Sequence, residues 1–412
     1  MNNSELINID SQKILRGLAG KVAELAARPK EAEKQKLWYK HNSLEATRPV
    51  IFCDPENGWR EIITEDCYQS SGELARQWER TLRRQIFWGE SMGDDKVIEA
   101  IFEVPHVYSE SDWGMHEIRE GGENGGAYHW QAPLKDYEDM GKLHYPTIQV
   151  DYEKTEELAE LAREIFGDLL TVTVKTGWWW TLGLTQTFVT LRGLEQIMLD
   201  MYDYPDELHQ LMAFLRDGHM QKLDFLEKNK LLSLNNDGTY VGSGGFGWTG
   251  ELPQQDFDGK VRTMDMWGFG ESQETSQISP EMFEEFILPY QLPILERFGL
   301  NCYGCCEPMN KRWYAVKRIP RLRRVSVSPW ADIKDMAEKL EDKYICSLKP
   351  NPAYLAIPQM DEAYIRKSLR EAMEATRNCR VEIIMKDNNT IGKNPENIIK
   401  WCRIAKEEAN RL

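Results

Sequence analysis

Apolar positions recur at helical spacing in "ILRGLAGKVAEL", then give way to the charged stretch "PKEAEKQKLWYKHN". This pattern predicts helix over residues 11–46. After "TRPV" the rhythm changes. Short β-rich runs alternate with longer helical ones: "VIFCD" (50–54), "AIFEVPHV" (100–107), "LTVTVKT" (170–176), "LLSLNND" (231–237), "MDMWGFG" (264–270), "LNCYGC" (300–305), "RRVSVSP" (323–329), "YICSLKP" (344–350) and "VEIIMKD" (381–387). Between them, 154–167, 279–299, 331–342, 360–376 and 394–412 carry an apolar stripe at i, i+3, i+4. The run 279–299 has Ser279 as N-cap, Pro280 at the first helical position and Gly299 as a stop.

Strand then helix, repeated about eight times, predicts an α/β protein with parallel strands. A doubly wound sheet is the alternative. No strand leads into GxGxxG or a Walker loop, so the usual nucleotide signature of that sheet is missing. "GSGGFG" (242–247) has no helix after it and reads as a mobile loop over a site. The expected fold is a (β/α)8 TIM barrel over residues 49–412, preceded by an N-terminal helical extension over 1–48.

Barrel function sits at the C-terminal ends of the strands. Reading along that rim gives Asn235, Asn236 and Asp237; Glu271 and Glu274; Cys305, Cys306 and Glu307; Cys346 with Lys349; and Asp387, Asn388 and Asn389.

Bulk chemistry narrows the choice. The net charge is −16, which disfavours a nucleic-acid surface built on Lys and Arg. The one basic cluster, "KRIPRLRR" (317–324), reads as a solvated helix end. The N-terminus has no signal-peptide pattern, and no apolar run approaches a membrane span. A cytoplasmic protein is expected. Fourteen Trp, three of them together in "TGWWWTLG", suit a flat aromatic ligand as well as a core. Trp178, Trp179, Tyr240, Trp248 and Trp267 are the candidate ring-clamping residues. His129, after a Gly-rich loop, reads either as a pocket residue or as an exposed loop histidine.

Three of the eight cysteines fall in "LNCYGCCEP". Cytosolic thiols stay reduced, so a disulfide framework is disfavoured. A structural zinc ribbon needs a second CxxC, which the chain lacks. A redox CxxC opens a helix, whereas Cys302 falls in a strand. An open metal site assembled from several strand ends remains, against small buried thiols as the alternative. Neighbours in an extended chain point to opposite sides, so Cys305 and Cys306 should diverge. One strand end can then present Cys306, or Cys302 with Cys306 across a bend. Cys346 can complete the set, with an acid from "ESQE" as third ligand. Cys53, Cys67, Cys379 and Cys402 read as small buried residues.

The segments "SPEMFEEFILPY", "YGCCEP", "SLKPNPAYLA" and "KDNNTIGKNPENIIKW" resemble the uroporphyrinogen decarboxylase superfamily over roughly 170–412. The decarboxylases carry an Arg-rich motif, RxxRQAGRY, where this chain has "TRPVIFCDPENGWREI". The chain looks most like the corrinoid-dependent methyltransferase I of anaerobic O-demethylases. That branch binds zinc through an acid and two cysteines spaced C-x39-C, and 39 residues separate Cys306 from Cys346. The acid's spacing falls on Ile278, so Glu274, with Glu271 beside it, is the nearest substitute. Thiol-methylating relatives use HxC, and Tyr303 or Gly304 stands where that His would be.

The resemblance therefore implies a zinc-dependent methyltransferase. Cys306, Cys346 and Glu274 would hold Zn2+, which would polarise the ether oxygen of an aryl methyl ether. The methyl group would pass to cob(I)alamin on a separate corrinoid protein. Glu274, Asp237 and Asn235 are the expected catalytic residues, and Asn235, Asp237 and Lys349 could read ring substituents. Two alternatives are a methylcobalamin:thiol methyltransferase and a non-catalytic aromatic-compound binding protein.

Overall fold

Parallel strands in the computed structural model fall where the alternating apolar runs begin. The structure describes residues 6–122 and 128–411. Its strands include β1 (Val50–Cys53), β2 (Ile101–Val104), β3 (Thr171–Val174), β4 (Trp267–Gly270), β5 (Leu300–Tyr303), β6 (Leu322–Val327), β7 (Ile345–Leu348) and β8 (Arg380–Met385). Each is followed by helix before the next begins. This is the α/β alternation expected of a (β/α)8 chain. Among the described residues no helix is long and apolar enough to cross a membrane.

The chain divides into two units. Unit 1 comprises Met1–Val107, Asp151–Thr176 and Lys349–Leu412; unit 2 comprises Tyr108–Val150 and Gly177–Leu348. In unit 1, β1 pairs in parallel with β8 from Val50 opposite Glu382 to Cys53 opposite Met385. There too, β2 pairs in parallel with β3 from Ile101 opposite Thr171 to Val104 opposite Val174. Helix α1 (Ile9–Ala26) starts where the Asn8 side chain accepts from Ser11 N at 2.9 Å. It buries Leu15, Ala19, Val22 and Leu25 against α3 (Glu73–Phe87) and α4 (Tyr152–Phe166). A second helix, α2 (Pro29–Asn42), begins on Pro29, whose missing N–H costs nothing at that position.

In unit 2, four parallel strands run in the order β4, β5, β6, β7. Phe269 is level with Cys302, Cys302 with Arg324, and Val325 with both Tyr303 and Cys346. An antiparallel pair of strands, Ile118–Gly121 and Tyr128–Gln131, not anticipated from the sequence, also lies in this unit.

Three local expectations are corrected. "LLSLNND" forms no strand. The Asn235 amide accepts from Trp267 N at 2.9 Å and donates to Trp267 O at 3.0 Å. A side chain thus takes the ladder positions that a strand would have used. The helix expected over 279–299 is two helices, Pro280–Phe286 and Leu288–Leu295. Pro289 cannot donate to the preceding turn, and the chain breaks at Ile287 (φ −114°, ψ −63°). The Ser279 cap is present, accepting from Met282 N at 3.2 Å. "GSGGFG" is buried, with Val241 N bonded to Gly245 O (3.1 Å) and Gly247 N to Thr239 O (3.0 Å).

The basic cluster is also not uniformly solvated. Arg324, on β6, is 1% exposed and stands 5.2 Å from the centre of the Trp267 ring.

Candidate active site

Strands β4 and β5 deliver the densest chemistry of unit 2. Gly304 ends β5 with φ +92°, a conformation open to Gly and costly for other residues. The chain therefore leaves the extended path before Cys305. Cys305 and Cys306 do not diverge as strand geometry had suggested; their sulfurs are 3.7 Å apart. Cys305 is buried and accepts from Ser243 Oγ at 3.2 Å, while Cys306 is half-buried.

Beside the thiols lie two fully buried carboxyls. Glu307 Oε1 accepts from Ser272 N (2.7 Å) and Oγ (3.2 Å), and Oε2 accepts from Cys305 N (2.9 Å). Arg312 reaches the same Ser272 hydroxyl at 3.0 Å. Glu271 Oε2 accepts from Gln273 N at 2.8 Å, but its Oε1 is buried without a hydrogen-bond partner. Burial, then the charges of Glu307 and Glu274, raise Glu271 well above the ordinary carboxyl range. Burial raises Glu307 too, opposed by the N–H groups of Cys305 and Ser272 and by Arg312. With more donors, Glu307 is the member of the pair favoured to carry the negative charge, and Glu271 is the one favoured to hold the proton. Glu274 accepts from Thr185 Oγ1 at 2.7 Å, which ties it to helix α5 (Thr185–Arg192).

The segment after β3 carries the Trp triplet. Trp178 is buried, its indole N–H held by Leu231 O at 2.9 Å. Trp179 and Trp180 instead line a cavity of about 200 Å3, together with Trp113, His219, Lys222 and Glu110. Both ring nitrogens of His219 are buried without hydrogen-bond partners. Burial lowers its pKa to about 4, with Lys222 adding to the shift, so the imidazole facing this cavity is neutral. Lys222 is paired with Glu110 at 2.8 Å. The cavity thus offers flat apolar walls with no net charge from these groups. The segment is stitched to β4: Leu182 N donates to Phe269 O at 2.9 Å, and Gly183 packs on Glu271.

The other residues named from sequence are more dispersed. Asn235 is engaged by the main chain of Trp267, and Asp237 accepts from Thr239 N at 2.9 Å. Trp248 and Trp267 are buried, and Trp267 donates to Gly247 O at 3.0 Å. Tyr240 is half-exposed, with its ring edge toward Phe246. His129 is exposed on its strand, opposite Glu120; the Gly-rich stretch just before it lies outside the described residues. Cys346 lies inside β7, fully buried and level with Val325 and through it with Tyr303. Level residues of parallel strands share a face, and Tyr303 uses that face to donate to Gln291 at 2.7 Å. Cys302 and Arg324 lie on the other face. Lys349 follows β7, is buried and belongs to unit 1.

The fit to zinc can be tested on these donors. The Cys305–Cys306 spacing matches the edge of a tetrahedral thiolate site, about 3.8 Å for Zn–S bonds of about 2.3 Å. Among the described residues no three Cys, His, Asp or Glu side chains converge so as to hold a metal ion. The residues as placed do not make the zinc site that the resemblance implied.

Sequence reading missed Trp113, Trp180, His219 and Lys222 as one cavity, and the unequal Glu271–Glu307 pair. Trp180 was in view within the Trp run; the others come from distant segments and carry no local signature.

No family model and no curated protein matches the chain. Among solved structures, a methyltransferase from Methanosarcina mazei is similar with a TM-score of 0.49 and 12% identity, covering 91% of this chain and 97% of that chain. At that level the likeness supports neither fold nor activity here, and the case rests on the residues.

Proposed function

We propose that the protein is a methyltransferase that takes the methyl group of a small aryl methyl ether and passes it to cob(I)alamin carried by a separate corrinoid protein. The observation that carries this reading is the Trp-walled cavity, whose Lys222–Glu110 pair leaves no net charge, stitched through Leu182 and Gly183 to the buried Glu271 carboxyl at the end of β4, whose Oε1 has no hydrogen-bond partner. The "YGCCEP" and "SLKPNPAYLA" segments resemble the uroporphyrinogen decarboxylase superfamily, which includes corrinoid-linked methyltransferases, and are compatible with this chemistry.

The reaction needs a nucleophile, an oriented methyl group and a stabilised leaving group. The lone pair of Co(I) forms the Co–CH3 bond while the C–O electron pair passes to oxygen. Phenolate leaves poorly, and a proton given to it in the transition state lowers the barrier. In this reading Glu271, whose pKa burial raises, makes that donation, and solvent returns its proton afterwards. Trp113, Trp179 and Trp180 hold the ring by stacking, and Thr185 fixes Glu274 beside the donor. The test is anaerobic methyl transfer from a panel of methoxyarenes to cob(I)alamin, followed by the change in cobalamin absorbance. Trp179→Ala should raise KM at least tenfold with a smaller effect on kcat. An unchanged KM would remove the cavity from the reading.

A further inference from the structure

A second cavity, of about 300 Å3, lies wholly in unit 1, in the segment after β1 and on α3. Its walls include Trp59, Tyr68, Arg60, Arg80, Arg84 and Glu65. Three guanidinium groups thus face one small space in a chain of net charge −16.

The nearby acids do not cancel Arg84 and Arg80. Glu65 pairs with Arg76 at 3.3 Å, and its side chain is 83% exposed. Asp54 accepts from Trp59 Nε1 at 3.0 Å and is the acid that acts on Arg84. Arg84 makes no hydrogen bond and no ion pair among the described residues, and its Nε is buried without a partner. Its guanidinium instead lies 5.3 Å from the centre of the Trp59 ring. Arg80 donates from Nε to Tyr68 Oη at 2.9 Å and sits 5.8 Å from the centre of that ring. Arg60 is anchored by donating to Asn389 O at 3.2 Å. The two aromatic rings hold the guanidinium groups in place without consuming their charge. A half-buried guanidinium left without an anion is costly, and its planar fork matches the oxygens of phosphate or carboxylate.

We propose that this cavity is a binding site for a small oxyanion bearing at least two negative charges, a phosphate or a vicinal dicarboxylate, clasped by Arg84 and Arg80.

The probes are inorganic phosphate and benzene-1,2-dicarboxylate, titrated into the full-length protein by calorimetry at fixed ionic strength, with chloride as reference. At least one should bind saturably with a Kd below 1 mM, and which one does so assigns phosphate or carboxylate. Arg84→Gln and Arg80→Gln should each weaken that binding at least tenfold, while Arg377→Gln, on an exposed helix end, should leave it unchanged. If Arg84→Gln unfolds, Arg80→Gln carries the test, since Arg80 is exposed and its loss leaves no buried gap. Absence of saturable binding by both probes overturns the proposal, and so does binding that both glutamine variants retain.

Discussion

Gly183 joins the Trp segment to the carboxyl cluster by packing directly on Glu271. A Cβ at this position would stand 2.3 Å from Glu271 O, 2.7 Å from Glu271 Oε1 and 2.9 Å from Glu271 N. Two of these atoms are main chain and cannot swing aside. Ordinary van der Waals separation requires the two segments to part by about 1 Å. Overpacking of this kind costs about 1–3 kcal/mol. The Glu271 carbonyl also accepts from Gln291 Nε2 at 2.8 Å, and straining that bond adds about 1 kcal/mol. Gly183→Ala should therefore lose about 2–4 kcal/mol, read as a lower urea midpoint at unchanged slope. Methyl transfer should fall about 100-fold, as expected for a 1 Å displacement between bound ring and acid. Gly177→Ala is the control, because nothing lies within 4 Å of its Cβ; it should stay within about 0.5 kcal/mol of the parent. If Gly183→Ala matches that control in stability and activity, the packing of this segment on Glu271 is wrong.

Glu271→Gln tests the protonation state. A carboxyl raised in the folded state contributes fully below its unfolded pKa and costs stability as pH rises above it. The variant should melt above the parent at pH 8 and converge with it near pH 4; a pH-independent difference would show that Glu271 is not held protonated. Glu408 has the opposite sign: hydrogen bonds from Arg370 and Arg366 hold it at about 2. Its stabilisation is present above the ordinary carboxyl pKa and is lost as pH falls through about 2, so Glu408→Gln should flatten acid unfolding below pH 4. The Cys305 and Cys306 thiols, 3.7 Å apart, should capture one equivalent of phenylarsine oxide. Cys305→Ser and Cys306→Ser should each abolish capture while Cys346→Ser leaves it intact, and capture that survives both of the first two would sink the pairing.

The strands were legible because their apolar runs are short, β-rich and bounded by turn residues, and β1, β5, β7 and β8 fall within the runs quoted for them or one residue beyond. "LLSLNND" misled because its composition suits a strand, while the decisive interaction is one Asn side chain on Trp267, 32 positions away. The break at Pro289 was written in the chain but outweighed by an apolar stripe that continues through it. At the candidate site, residue types could be read and geometry could not. The turn at Gly304 redirects two cysteines that alternation would have separated. Glu271 and Glu307 differ through the number of donors each meets, which depends on Ser272, Cys305 and Arg312 arriving together. The cavity joins Trp113 to His219 across 106 positions, beyond any local pattern.

Methyl transfer is decided by anaerobic incubation of the pure protein with methoxyarenes and cob(I)alamin, with the methylated cobalamin and the free phenol both quantified. Equal amounts of the two products should form with at least one methoxyarene, and Glu271→Gln should abolish both. Folded protein that yields neither product across the panel, or the same yield from Glu271→Gln, would contradict the proposed function.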